Sequence, residues 1–408
     1  MLRFYEAPAS SYGCGKLKFN VDMEKNFGHS YKFVIGSQYF LYFGIMGIFL
    51  PYFNLYCYHL DFTGFQIGIL SAIRSVALIL FPMIWGALAD RFQIRRPIYI
   101  FCSFISTGIW ALYLYTIDFF VMLLITIFYG IFYAPIISFL EAFTMDVLGK
   151  EKTSYGRIRG WGSFAFIITV IVMGKVIDFY SIEIILVLIL SGSVLQALIS
   201  VKIPDVRVEK KGEFATKAKA LLTRRIIVFL LSAFLMLVSH ATYYGFFSIH
   251  LEHLGYDNMF IGLAWALASI AEIIVMIKSD SILKHFSIEN ILIFSFMVAA
   301  LRWFALFFIV SPVAIMLFQM LHAITYGSFH IASILYIDTL VPTETKTFGQ
   351  AVNNATTYGL GLMVGFFING YLFEITSLFS LFMISSIIAL VGGLLLTFSQ
   401  IMDRKAWW

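Results

Sequence analysis

EAFTMDVLGKEKTSYGRIRGWGSFAF, residues 141–166, sets a basic turn, Lys150–Arg159, between two apolar stretches. An acid, Glu141, lies inside the first stretch, and Gly156, Gly160 and Gly162 open the second. A fainter copy follows in the other half of the chain: Asp338, then TETKTFG (343–349), then a second Gly-rich stretch. KEKTSYG (150–156) and TETKTFG align at an offset of 193 residues (349 − 156), close to half of the 408 residues. The pattern is that of a duplicated chain whose halves each pivot on such a turn.

Composition says what surrounds the halves. The chain is 61% hydrophobic and 12% charged, with mean hydropathy +0.89. Soluble domains carry about a quarter charged residues, so the bulk of this chain faces lipid. Serial apolar runs of about 20 residues mean helices, which satisfy their own backbone hydrogen bonds in hydrocarbon. The short alternating segments of a transmembrane barrel are absent. Twelve spans are expected, at about 33–58, 64–88, 97–117, 119–146, 158–179, 182–201, 225–250, 258–282, 287–310, 313–340, 347–371 and 377–400.

Lys and Arg in the connections orient them. One set of loops holds Arg91, Arg95 and Arg96, then Lys150, Lys152, Arg157 and Arg159, then the base-rich stretch 202–224, then Lys278, Lys284, Lys346, Arg404 and Lys405. The opposite ends carry one base, Lys175, against Asp61, Asp118, Asp178, Glu183, Glu252, Asp257 and Glu374. Both termini are therefore expected in the cytoplasm of a plasma-membrane protein. The organisation that follows is a cytoplasmic segment 1–32, a six-helix bundle 33–201, a cytoplasmic linker 202–224, a second bundle 225–400 and a tail 401–408. The first segment lacks the apolar core of a signal peptide, and Met23, opening MEKN, is an alternative start to Met1. Cys14, Cys57 and Cys102 have no metal-ligand spacing and outline no disulfide framework. No G-x-x-x-x-G-K-[ST] occurs, so work is drawn from an ion gradient or a substrate gradient rather than from a nucleotide.

Ionisable residues within spans are costly, at least about 2.5–3.5 kcal/mol for Arg, Lys or Asp at a helix centre, and mark functional positions. Here they are Arg74, Glu141, His240, Glu272, Arg302, His322 and His330. Glu272 and Arg302 lie on consecutive antiparallel spans, at depths differing by about 6 Å at ~1.5 Å per residue. Two long side chains close that gap, and protonating the acid loosens the pair; the alternative is a static buried pair. His322 and His330 share a helical face two turns apart, suited to a proton relay or to structural hydrogen bonding. Arg74, near the midplane, either receives a substrate carboxylate or pairs with an acid on a neighbouring helix. Glu141 lies nearer the basic face and is read as a gate acid for Arg157 or Arg159. Asp146 and Asp338, at span ends, are expected to be solvated. In HATYYGF (240–246), Tyr243 and Tyr244 beside His240 are candidates for hydrogen bonding a solute.

GALADRFQIRRP (86–97) follows the second span. Gly86 is expected to let helices approach closely, and Asp90 to cap a neighbouring helix N-terminus, with Arg91 on the rim. This stretch resembles the G-x-L-x-D-R-x-G-R-R signature of the major facilitator superfamily, departing at Gln93–Ile94 where a Gly is usual. YGRIRGWGSFAF (155–166), HATYYGFFSIH (240–250), GLAWALASIAEIIV (262–275), LRW (301–303) and LHAITYGSFHIA (321–332) resemble its phenylpropionate-permease-like branch, related to lactose and nucleoside proton symporters. The likeness spans about residues 33–400. It implies an all-α membrane protein of twelve transmembrane helices in two pseudo-symmetric six-helix bundles. Glu272, Arg302, His322 and His330 match positions typical of the branch, and Glu141 stands where an Asp is usual. The lactose symporter's Arg–His–Glu network is only partly kept, because Thr325 offers no carboxylate one turn after His322.

The expectation is a secondary active transporter and not an enzyme, since no nucleophile–base pair or metal cluster is evident. It moves a small organic solute, an aromatic or other carboxylate first, by proton-coupled symport and rocking of the halves. A sugar- or nucleoside-type symporter, an exporter of amphiphiles and a transport-dead sensor are the other readings. Partners are then a solute, protons and lipid, with no nucleic acid, no cofactor, no metal and a monomeric state.

Overall fold

The computed structural model describes residues 13–149, 154–205 and 223–405, and every regular element among them is helical. Twelve helices run back and forth: α1 (Gly13–His59), α2 (Gly64–Phe92), α3 (Arg95–Ala111), α4 (Phe119–Leu148), α5 (Tyr155–Phe179), α6 (Ile184–Ser200), α7 (Arg224–His253), α8 (Asn258–Ile277), α9 (Ile288–Phe308), α10 (Pro312–Leu340), α11 (Phe348–Ile375) and α12 (Leu378–Lys405). Eleven are long and apolar enough to cross a membrane by length and composition; α6, Ile184–Ser200, is apolar but shorter.

Helix starts follow from the sequence. Thr63 caps α2 and accepts from Gln66 N, while the Gln66 side chain returns to Thr63 N, so two otherwise orphaned donors are satisfied. Asp118, Asp257 and Ser287 cap α4, α8 and α9, each accepting from the backbone N–H three residues on. After α2 the chain turns on Gln93, which adopts φ 56°, the left-handed conformation that a Gly takes without strain. Two stretches depart from α geometry, Ala323–Ser328 in α10 and Ala355–Gly361 in α11, each a π-helical turn of the kind found at functional sites.

The backbone is already helical from Gly13, so α1 runs back into the 1–32 segment, and its apolar span Tyr31–His59 lies close to the 33–58 expected. Two expectations are corrected. The eighth span ends at Ile277 rather than 282, and Ser279–His285 forms a separate short helix. Gly86 is not a close-approach point: a Cβ there would meet nothing within 4 Å, and the same holds at Gly156 and Gly160, whereas Gly162 abuts Phe43. Lys150, Lys152 and residues 206–222 of the linker lie outside the described residues.

Within the first half α1 packs on α5 and α6, and α4 on α2 and α3; within the second, α12 packs on α7 and α9. Between halves, α2 meets α11, α5 meets α8 and α1 meets α7. A cavity of about 800 Å³ separates the halves elsewhere. Its wall reaches Tyr155 at the start of α5 and Met276 at the end of α8, so it opens on the face carrying the basic loops. At the other end it stops at Ser71 and Trp265, each seven residues from its helix start, and at Leu50 of α1. At 1.5 Å per residue a plug of about 10–14 Å of packed helix seals that face.

Candidate functional site

The two walls of the cavity are built differently. On the first half, Arg74 of α2 points into the space with its guanidinium carbon 4.3 Å from the Phe49 ring centroid and 5.8 Å from that of Phe53. Its hydrogen bond to protein is a long one, Nη2 to Ser71 Oγ at 3.4 Å. It forms no ion pair among the described residues. Aromatic faces attract a cation by about 0.5–2 kcal/mol, well short of what water supplies, so Arg74 keeps capacity for an anion. Beside it Tyr42, Tyr133 and Tyr129 stack in a column, with centroids 5.3 and 4.7 Å apart and planes within 17°. The spacing of Tyr129 and Tyr133, four apart on α4, puts both on one face.

On the second half the polar groups are tied together. Arg302 of α9 is fully buried behind the wall. It donates from Nη2 to Gln319 Oε1 at 2.8 Å and from Nη1 to Thr325 Oγ1 at 3.3 Å, and its Nη1 lies 3.0 Å from His322 Nδ1. The guanidinium also sits 4.5 and 4.6 Å from the Tyr243 and Trp303 ring centroids. An arginine only donates, so His322 Nδ1 must accept and the imidazole proton resides on Nε2. That nitrogen is 3.8 Å from Glu272 Oε2. His322 therefore stands between Glu272 and Arg302, in place of the direct Glu272–Arg302 pair expected from the spans. The pair was inferred from depth alone, and depth does not show that α10 enters between α8 and α9.

His240 extends the same chain of bonds. Its Nδ1 is 2.8 Å from the Met236 carbonyl, which can only accept, so Nε2 is left to accept from Thr325 Oγ1 at 3.4 Å. His240 is buried and is not on the cavity wall. Tyr243, Tyr244 and His330 do line it, and His330 Nδ1 bonds the Tyr358 hydroxyl of α11. His322, Tyr326 and His330 stack along α10, with planes 10° and 4° apart. The sequence reading passed over Tyr326, although its i, i+4 position between the two histidines marks it. It also passed over Gln319, for which the sequence gives no signal.

Toward the open face, Glu141 and Arg159 both line the cavity but form no ion pair with each other, and Arg159 lies 3.9 Å from the Phe43 ring centroid. Arg157 is exposed and does not reach Glu141. On the rim, Asp90 accepts from Arg95 Nε and Nη2 at 3.0 and 2.8 Å, and the same Arg95 reaches Asp146 Oδ2 at 3.3 Å. Asp90 thus ties the ends of α2, α3 and α4 through an arginine, where a helix-capping contact was expected. Asp146, expected to be solvated, is mostly enclosed beside Arg95, whereas Asp338 stays partly exposed and pairs with Lys346. Arg91 lies exposed over its neighbour Phe92.

A profile of the MFS_1 like family matches residues 33–384. The chain is 26% identical over 350 residues to the probable 3-phenylpropionic acid transporter of Escherichia coli K12, covering 82% of this chain and 89% of that one. It is 22% identical to the maltose permease of Geobacillus stearothermophilus, covering 92% and 96%. Among solved structures, the nucleoside transporter NupG (D323A mutant) superposes with a TM-score of 0.82 at 19% identity, covering 90% of this chain and 98% of that one. With twelve helices in two halves around one cavity, the chain belongs to the MFS_1 like family and is a secondary transporter of the major facilitator type.

Proposed function

We propose that the protein carries a small organic carboxylate, an aromatic one first, together with a proton. The observation that carries this reading is Arg74: a cation facing the cavity, flanked by aromatic rings and unpaired with any described acid. A carboxylate binds an arginine through two parallel hydrogen bonds, and an aryl ring attached to it would lie against the Tyr42–Tyr133–Tyr129 column. Relatives of the chain are named for 3-phenylpropionic acid, nucleosides and maltose. Of these, a carboxylate is the solute that uses Arg74.

The opposite wall supports the proton-coupled part of this reading. The His322 tautomer, fixed by Arg302, leaves Glu272 Oε2 as the basic atom facing both the imidazole and the cavity. Two negative charges on the order of 10 Å apart in an effective dielectric of about 20 repel by about 1.7 kcal/mol. A substrate anion on Arg74 therefore favours proton uptake by Glu272, and a proton on Glu272 favours the anion equally, since such coupling is reciprocal. In the loaded state both added charges cancel, so the halves rock without exposing an extra charge to lipid. On release the carboxylate of Glu272 again meets His322 Nε2–H, and the network resets.

In this reading the basic face is cytoplasmic, the cavity open on that face is the inward-facing state, and Glu141 with Arg159 forms part of the inner gate. The domain bounds are those read from the sequence, with bundles 33–201 and 225–400. The test is uptake of labelled solutes into proteoliposomes under an imposed pH gradient. Accumulation of an aryl carboxylate, suppressed by excess of a second carboxylate and not by a sugar or nucleoside, supports it. Uptake of the sugar or nucleoside alone would favour the neutral-solute symporter.

A further inference from the structure

The sealed face holds a device that appears twice. Asp178, the next-to-last residue of α5, accepts from the backbone N–H of Asn258 at 3.0 Å and of Met259 at 3.2 Å, and from Asn258 Nδ2 at 3.1 Å. These are the first two residues of α8, in the other half. Glu374, the next-to-last residue of α11, accepts from the backbone N–H of Phe65 at 3.2 Å, the second residue of α2. The acceptors are 196 residues apart (374 − 178) and the donors 194 (259 − 65), each within a few residues of the duplication offset. The close contacts repeat as well: a Cβ on Gly174 would lie 2.4 Å from Asn258 O, and one on Gly370 would lie 2.7 Å from Gly64 O.

Each helix start has four N–H groups without an intrahelical partner. In α8 and α2 these are shared out: Asp257 and Thr63 cap Phe260 N and Gln66 N from within the same half. The carboxylate from the other half takes Asn258 N and Met259 N in α8 and Phe65 N in α2, and its charge also meets the positive end of the helix dipole. Both bonds cross the boundary that must part if the sealed face is to open. A third contact also crosses between the halves: His59 Nε2 at the end of α1 lies 2.7 Å from Glu252 Oε1 at the end of α7.

The geometry points to Asp178 and Glu374 as a duplicated pair of latches that hold this face closed by capping the opposite half's second helix. Transport by alternating access then requires both caps to be released in each cycle, each by separation of one helix pair. The latches are positioning residues for the gate; they do not line the cavity, and the inference does not depend on which solute is carried.

The experiment uses the full chain in nanodiscs with spin labels at Ile117 and Val313, exposed positions of opposite halves on the sealed face. Distances between the labels are read by double electron–electron resonance without solute. Asp178→Asn and Glu374→Gln each raise the ratio of wide to narrow populations about tenfold, which is about 1.4 kcal/mol. The double variant raises it about a hundredfold, and Asp178→Glu, which keeps a carboxylate, stays close to the parent. Asp118→Asn takes the charge from a cap made within one half and leaves the distribution unchanged. Parent-like distances in the single variants overturn the proposal, as does equal widening by Asp118→Asn. Either single variant carries the test if the double variant is not recovered, and a protein that ignores aryl carboxylates would still show the latch effect.

Discussion

The two walls of the cavity contain similar residue types and differ in how those residues are satisfied. On the first half a guanidinium meets rings and one serine, leaving most of its donors to the cavity. On the second half another guanidinium is enclosed by Gln319, Thr325, His322 and two aromatic faces, and both of its terminal nitrogens are committed, with Nε buried and facing no acceptor. An unpaired cation at the wall is a place for something that arrives. A committed cation behind the wall instead fixes His322 Nδ1 as an acceptor and leaves Nε2–H toward Glu272. Under the proposed function, the difference divides the labour: one wall for the solute, the other for the proton.

The largest expected break in that division is Glu272→Gln. Gradient-driven accumulation of the carboxylate falls at least a hundredfold while solute exchange persists; retention of accumulation would move the proton site elsewhere. Next is Arg74→Gln on the opposite wall. Loss of a charge-assisted bond worth about 1.5–3 kcal/mol raises the half-saturating concentration of a carboxylate solute about 10- to 100-fold. Binding measured by calorimetry should show the loss for the acid and not for its neutral amide. Gln319→Met comes third. It releases one of Arg302's acceptors and should lower accumulation about tenfold, with a moved pH profile and little change in solute affinity. A variant that moved affinity alone would mean that the two walls are not separable. Smallest is Tyr358→Phe, which removes the bond to His330; loss of one neutral bond, about 1 kcal/mol, gives roughly a fivefold change in exchange rate.

Much of the architecture was legible in the sequence because lipid imposes a one-dimensional code. Each span needs its run of apolar residues, and twelve such runs lie close to the helices observed. Intramembrane ionisable residues were equally visible, and Arg74, Glu272, His322 and His330 all fall on one cavity wall or the other. What stayed hidden depends on how helices neighbour one another in three dimensions. His322 between Glu272 and Arg302 reflects α10 packing among α8 and α9, which spacing along the chain does not encode. Gly86 carried an expected close contact that the helix orientation does not supply. Asp178 and Glu374 were read only as acids on the far side of the membrane, because a cap given to another half's helix leaves no local pattern. The π-helical turns flanking His322 and Tyr358 likewise have no sequence signal beyond nearby glycines.

The division between walls is tested most directly by uptake of a labelled aryl carboxylate into proteoliposomes, with and without an inward-directed proton gradient. The account predicts accumulation above the external concentration only with the gradient, abolished by a protonophore. Equal uptake in both conditions, or accumulation unaffected by the protonophore, would contradict it.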